Sequence, residues 1–268
     1  MMFTHRQKKQ IIIGSIYLII FIGTIVGGYF VFKPKLTCFD GVQNQGELGI
    51  DCGGPCSPCA PKVAAPVIED QQLVQEGNGI YEFVAKIKNQ SQVYGNSKID
   101  YQINLYNDSN QIIKTINQNT FILSGEEKYI VKPAIRIDRS NIISRTEMKI
   151  THLGKWEKMD QAVYPDLMVK NKKIEILAQS NKYAEVSGTI INRADVGFQK
   201  VMVNIILFGE ENKVVRANQT EIRTLTAGQE RFFSVFWNKP FISQKFHLIV
   251  EPVTNPFDQD NIIVEGSK

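Results

Sequence analysis

The chain has 268 residues, a net charge of +4 and 43% hydrophobic residues, a balance compatible with a folded protein of about two domains. Its 31 Lys and Arg are interleaved with 27 Asp and Glu, so no basic run exists to follow a phosphate backbone, which argues against nucleic-acid binding. Only His5, His152 and His247 are available for imidazole chemistry, and no Ser, Cys or carboxylate pattern supplies a catalytic residue or a cofactor motif.

Residues 1–10 form a short positive tail with Arg6, Lys8 and Lys9. Residues 11–32, "IIIGSIYLIIFIGTIVGGYFVF", carry no charge. At about 1.5 Å per residue this stretch spans a hydrocarbon core of about 30 Å. It is longer than the apolar core of a cleaved signal peptide, and no small-residue cleavage site follows. "KLTC" before Cys38 has the outline of a lipoprotein site, but Lys35 stands where an apolar residue is needed. The expectation is an uncleaved single-pass anchor over 11–33, with the tail cytoplasmic and the bulk of the chain extracytoplasmic. Lys33 and Lys35 on the far side weaken the charge asymmetry, and the clustered cysteines favour an oxidising exterior. Gly23 and Gly27 form a G-x-x-x-G, a spacing that lets two helices approach and is compatible with a homo-oligomer, although glycine is common in membrane helices.

Residues 36–59 hold all four cysteines, Cys38, Cys52, Cys56 and Cys59, in "CFDGVQNQGELGIDCGGPCSPC". A segment this short and polar cannot bury a core, so two disulfides are the first expectation; four cysteines allow three pairings. A zinc site is the second, although C-x13-C-x3-C-x2-C lacks two C-x2-C knuckles. Thiol redox chemistry at Cys56 and Cys59 is the third, without the βαβ unit that such a pair needs. Asp40, Asn44, Glu47 and Asp51 are oxygen donors at spacings of four, three and four, which suits either a calcium ion or a set of Asx-type turns.

A Pro/Ala-rich linker over 60–66 precedes a strand-like remainder. "YEFVAKIKN" and "KIDYQINLYND" alternate apolar with polar residues, the period of a half-buried strand. The segment "INLYNDSNQIIKT" from Ile103 matches "IILFGEENKVVRA" from Ile205; "AKIKN" from Ala85 matches "GTIIN" from Gly188; "LSGEEKYIV" matches "LTAGQERFFSV". Two copies of a small antiparallel sandwich are expected, at 67–160 and 161–253, followed by a polar tail over 254–268.

The "x-LY-D-x-x-x-x-I/V-I/V … L-x-G-E" pattern resembles the FxLYD-type domains, small immunoglobulin-like sandwiches of bacterial and archaeal envelope proteins. The initial Phe of that signature is absent here, and Asn107 or Gly209 stands at the first Asp. The Cys38–Cys59 pattern resembles a DCGGxCxxC module found in secreted and surface proteins beside β-sandwiches. These resemblances imply an all-β protein, two tandem immunoglobulin-like antiparallel β-sandwiches after a transmembrane helix, working as extracytoplasmic spacers or interaction modules without shared catalytic residues.

Trp156 and Trp237, with Phe232, Phe233, Phe236 and Phe241, serve either a sandwich core or an exposed ligand face. Asn89, Asn107 and Asn218 open N-x-S/T sequons. Taken together, the sequence is that of a membrane-anchored, non-enzymatic interaction or scaffold protein of the cell envelope, holding the bilayer through 11–32 and a protein partner outside. An adhesion or ligand-binding receptor is the alternative, and a thiol-redox or metal-binding protein the third reading.

Overall fold

The computed structural model describes residues 5–32, 38–44, 46–59, 61–161, 164–177, 182–241 and 246–264. Lys33 and Lys35, the "KLT" before Cys38, and the junction at 162–163 lie outside them. The chain divides into two units, 1–61 and 62–268.

In the first unit, helix α1 (His5–Phe32) contains a stretch, Lys9–Tyr29, long and apolar enough to cross a membrane, with no part of it buried in the protein. Two polar side chains inside it are satisfied by the helix itself. Ser15 Oγ donates to the Ile11 carbonyl (2.9 Å) and Thr24 Oγ1 to that of Phe21 (2.8 Å). In hydrocarbon, where water cannot take those hydroxyls, such back-bonding removes their cost. Gly23 and Gly27 both face open space. The same unit holds the cysteine module, which has almost no regular structure beyond a Gly49–Cys52 bridge.

The second unit is all β, and its strands form four antiparallel sheets. The first half comprises β1 (Val67–Gly77), β2 (Ile80–Lys88), β3 (Tyr94–Tyr106), β4 (Ile112–Ile122), β5 (Glu127–Arg136), β6 (Arg145–Leu153) and β7 (Trp156–Lys158). Its two sheets run β1-β2-β5 and β4-β3-β6, with β7 also on β3. The second half comprises β8 (Leu167–Ile176), β9 (Ala184–Asn192), β10 (Gly197–Phe208), β11 (Val214–Leu225), β12 (Glu230–Trp237), β13 (His247–Val253) and β14 (Ile262–Ile263). Its sheets run β8-β9-β12 and β11-β10-β13, with β14 also on β10. Strand order in one half therefore recurs in the other.

Each half has its own core. Phe83, Ile87, Ile99, Ile103, Leu105 and Ile122 fill the first, and Val186, Ile190, Phe198, Val203, Ile205 and Leu207 the second. A buried asparagine closes one end of each. Asn89 donates its amide to the Tyr94 and Leu123 carbonyls (both 2.7 Å), and Asn192 donates to those of Val196, Leu225 and Thr226. One side chain thus satisfies main-chain acceptors at the ends of two strands and in the adjoining turns.

A third apolar layer joins the halves. Val84 of β2 and Val131 of β5 pack with Ile206 and Phe208 of β10 and with Val214 and Ala217 of β11. The sheet β1-β2-β5 lies with its back against the back of β11-β10-β13, and the four sheets stack as layers. We call these two the inner sheets and the other two the outer sheets. The reason is written in β10. In "VMVNIILF", Val201, Val203, Ile205 and Leu207 point into the sandwich core, while Ile206 and Phe208 point the other way into the shared layer. A strand apolar on both faces requires burial on both. At roughly 1.5–3 kcal/mol per fully buried large apolar side chain, this layer is a substantial part of the stability.

The segment after Val253, expected as a polar tail, packs back onto the second sandwich as far as residue 264. Thr254 and Asn261 are buried, Asn261 Oδ1 accepts from the Lys200 N–H (2.8 Å), and β14 pairs with Gly197 and Phe198.

Candidate functional site

The cysteines form two bridges, Cys38–Cys56 and Cys52–Cys59. Cys56 and Cys59 are therefore not bonded to each other, and the C-x-x-C is not a redox pair in this arrangement. Cys38, Cys56 and Glu47 cluster closely enough to suggest a metal, but a disulfide sulfur is not a thiolate, and one carboxylate remains. The "CGG" glycines are needed for space as well as for positive φ. A Cβ on Gly53 would strike Leu48, and one on Gly54 would collide with the Gly46 carbonyl.

The four oxygen-bearing residues do converge. Asp51 accepts from the Asp40 N–H (2.9 Å) and the Gly41 N–H (2.9 Å), and Asp40 accepts from the Val42 N–H (2.9 Å) and the Asn44 side-chain amide (3.0 Å). Glu47, 8% exposed, accepts from the Asp51 N–H at 3.1 Å. These carboxylates accept from main-chain donors of neighbouring turns, while Asn44 Oδ1 has no hydrogen-bond partner among the described residues.

The most concentrated chemistry lies between the inner sheets. Glu82 on β2 is 2% exposed and receives two donors from the other sandwich: the Ala217 N–H of β11 (2.7 Å) and the Trp237 indole N–H of β12 (3.0 Å). Burial pushes its carboxyl up to about 7, against the pull of those donors and of the nearby Arg216 charge. Glu251 on β13 mirrors this arrangement. It accepts from the Tyr129 N–H of β5 (3.1 Å) and from the Asn204 amide of β10 (3.0 Å), and burial pushes it to about 7 as well. Asn204 also donates to the Tyr129 carbonyl (3.0 Å). Gln72 of β1 completes the seam, accepting from the Val214 N–H (2.7 Å) and donating to the Asn212 carbonyl (3.1 Å).

Lys128 on β5 is 2% exposed, and its ammonium has no hydrogen-bond partner among the described residues. It sits 3.5 Å from the centre of the Phe121 ring, a cation–π contact. Burial pulls it down to about 8, opposed by the charges of Glu126 and Glu251. Beside it the halves diverge into a cleft of about 840 Å³, whose walls include Asn117, Asn119, Gln199 and Lys200.

The aromatic candidates divide. Trp237, Phe233 and Phe241 are buried in the second core, and Trp156 is partly buried on β7. Phe232 and Phe236 are exposed, on the outward face of β12. His152 and His247 are exposed on β6 and β13. Of the sequon asparagines, Asn89 is 0% exposed and structural. Glu82, Glu251 and Lys128 were not singled out by sequence reasoning. The available signal was a charged residue on a strand whose neighbours on the same face, Val84 for Glu82, are apolar. No protein-family model matches the chain, and no curated protein matches it in sequence.

Proposed function

We propose that the chain is a membrane-anchored, extracytoplasmic and non-enzymatic interaction or scaffold protein of the cell envelope, of the FxLYD-like kind. The observation that carries this reading is α1, a helix long and apolar enough to cross a membrane and with none of that length covered by protein, in a chain whose cysteines are all bridged. Apolar side chains without a protein cover need a lipid one, and disulfides persist in oxidising compartments. Two sandwiches fused through a shared apolar layer make a stiff frame that offers exposed sheet edges and end loops to a partner.

The test is made on intact cells expressing the full chain. Externally added protease should trim the chain to a membrane-retained N-terminal fragment, and a thiol-alkylating label applied before reduction should leave all four cysteines unmodified. A chain that leaves the membrane with alkaline carbonate, or cysteines labelled in place, overturns the reading.

A further inference from the structure

We propose that the seam between the inner sheets is a proton-operated latch, in which Glu82 and Glu251 hold the two sandwiches together when neutral and favour their parting when ionised.

The geometry is reciprocal. Glu82 comes from the first sandwich and is gripped by Ala217 and Trp237 of the second; Glu251 comes from the second and is gripped by Tyr129 of the first. Both lie at the face that would separate. Among the described residues, no cation is within ion-pairing distance of either. A carboxylate buried without a counter-charge favours its neutral form, and water reaching it restores the ordinary one. Parting the sandwiches delivers that water while leaving both cores intact, because the three apolar layers are separate clusters.

The groups facing each carboxylate are few. Arg216 of β11 and Glu76 of β1 face Glu82. Lys128 of β5 and Glu126 of the turn before it face Glu251, with Asn204 of β10 beside it. Arg216 favours ionisation of Glu82, but its guanidinium is committed to the Val215 and Pro240 carbonyls (2.8 and 3.1 Å). Glu76 opposes ionisation, and Glu126 does the same for Glu251. Lys128 favours ionisation of Glu251 while it keeps its own proton. The shared apolar layer keeps the parted form a minority, and protons set the size of that minority.

The sign follows from linkage. The closed form holds both protons up to about pH 7, whereas solvated carboxyls release theirs near 4.5. Opening therefore grows as pH rises between those values and levels off above them.

Hydrogen exchange on the full chain in detergent micelles reads that minority directly. After correction for intrinsic exchange, protection of the Ala217 and Tyr129 amides should fall by up to about tenfold per pH unit for each carboxylate, with no further fall above about pH 7. Core amides of β3 and β9, which exchange only when a sandwich itself unfolds, should stay better protected than the seam amides at every pH. Glu82→Gln and Glu251→Gln should each remove one share of the slope, and the double variant should be flat. A flat wild-type profile, seam amides as well protected as the core amides, or an unaltered slope in the variants overturns the proposal. Either single variant suffices if the double variant does not accumulate.

Discussion

The indole N–H of Trp237 donates to the carboxylate of Glu82 at 3.0 Å, joining residues 155 positions apart in the sequence and on different sandwiches. Trp237 is 1% exposed and Glu82 2%, so neither group has water as a substitute partner. A buried donor stripped of its acceptor loses about 1–3 kcal/mol. Glu82→Ala and Trp237→Phe should therefore each destabilise the second unit. Their double-mutant cycle, read from urea unfolding by circular dichroism, should show a coupling of about 1–3 kcal/mol. Simple additivity would mean that the bond contributes nothing.

The acid-side pH profile follows from the two raised carboxyls. Because Glu82 and Glu251 are pushed to about 7 in the folded chain from 4.5, the native form binds more protons than the unfolded one in that interval. Stability should be highest at its acid end, fall as pH rises toward 7, and show no further loss from these groups above it. Thermal melts at fixed ionic strength check this. A rise in melting temperature from pH 5 to pH 7, roughly the interval concerned, would contradict it.

Lys128 acts in the opposite direction and at higher pH. It is pulled down to about 8 from 10.5, so the unfolded chain binds the extra proton over that interval and stability should climb as the solution becomes more alkaline. Near neutral pH the buried ammonium costs on the order of 3 kcal/mol. Lys128→Met keeps most of the volume and the contact with Phe121 while removing the charge. It should raise stability by roughly 1–3 kcal/mol and abolish the alkaline climb. A loss of stability in this variant would show that the ammonium is held by more than the ring.

The shared layer can be weakened without emptying either core. Phe208 is 6% exposed and its ring lies 5.9 Å from that of Tyr129. Phe208→Ala should cost about 3–5 kcal/mol. Proteolysis between β7 and β8 should then release two separately folded sandwiches, whereas the wild-type chain resists at the same protease concentration. Collapse of the whole unit to small peptides would mean that neither half folds alone.

In the cysteine module, Cys38–Cys56 closes a loop with a sequence separation of 18, worth about 3 kcal/mol in the chain-entropy model. Cys38→Ser with Cys56→Ser should expose 38–59 to protease while the circular dichroism of the sandwiches stays unchanged. Asp51→Ala should mimic part of this by freeing the Asp40 and Gly41 amides. Added calcium should leave the protease resistance of the wild-type module unchanged, since its carboxylates are occupied by main-chain donors; protection by calcium would reassign Asp40, Asn44, Glu47 and Asp51 as ligands.

Much of the fold was legible because its causes are local. Period-two alternation marks β2 and β3, the turn residues at "NDSN" and "GEEN" mark the hairpins, and the absence of charge over 11–32 marks α1. The disulfides followed from a segment too polar to pack; their pairing did not, because it depends on how Asp51 folds back on Asp40. The stacking of the inner sheets was visible only in "VMVNIILF", whose lack of alternation was open to being taken for an ordinary half-buried strand. The buried carboxylates were harder still. Glu82 looks like any solvent-facing residue of "YEFVAKIKN" until a second sheet covers it. Asn89 reads as a glycosylation sequon, because nothing local announces that two loops need its amide.

The contrast between an inner and an outer sheet is visible at one pair of equivalent positions. Val84 faces Val131 across β2 and β5, under the cover of the second sandwich. At the matching ladder position of the uncovered sheet, Ser187 faces Ser234 across β9 and β12. Two hydroxyl-bearing residues thus occupy the position that valines fill in the covered sheet, with the exposed rings of Phe232 and Phe236 on either side of Ser234. That outward face is therefore mixed in character, greasy at its two rings and polar between them.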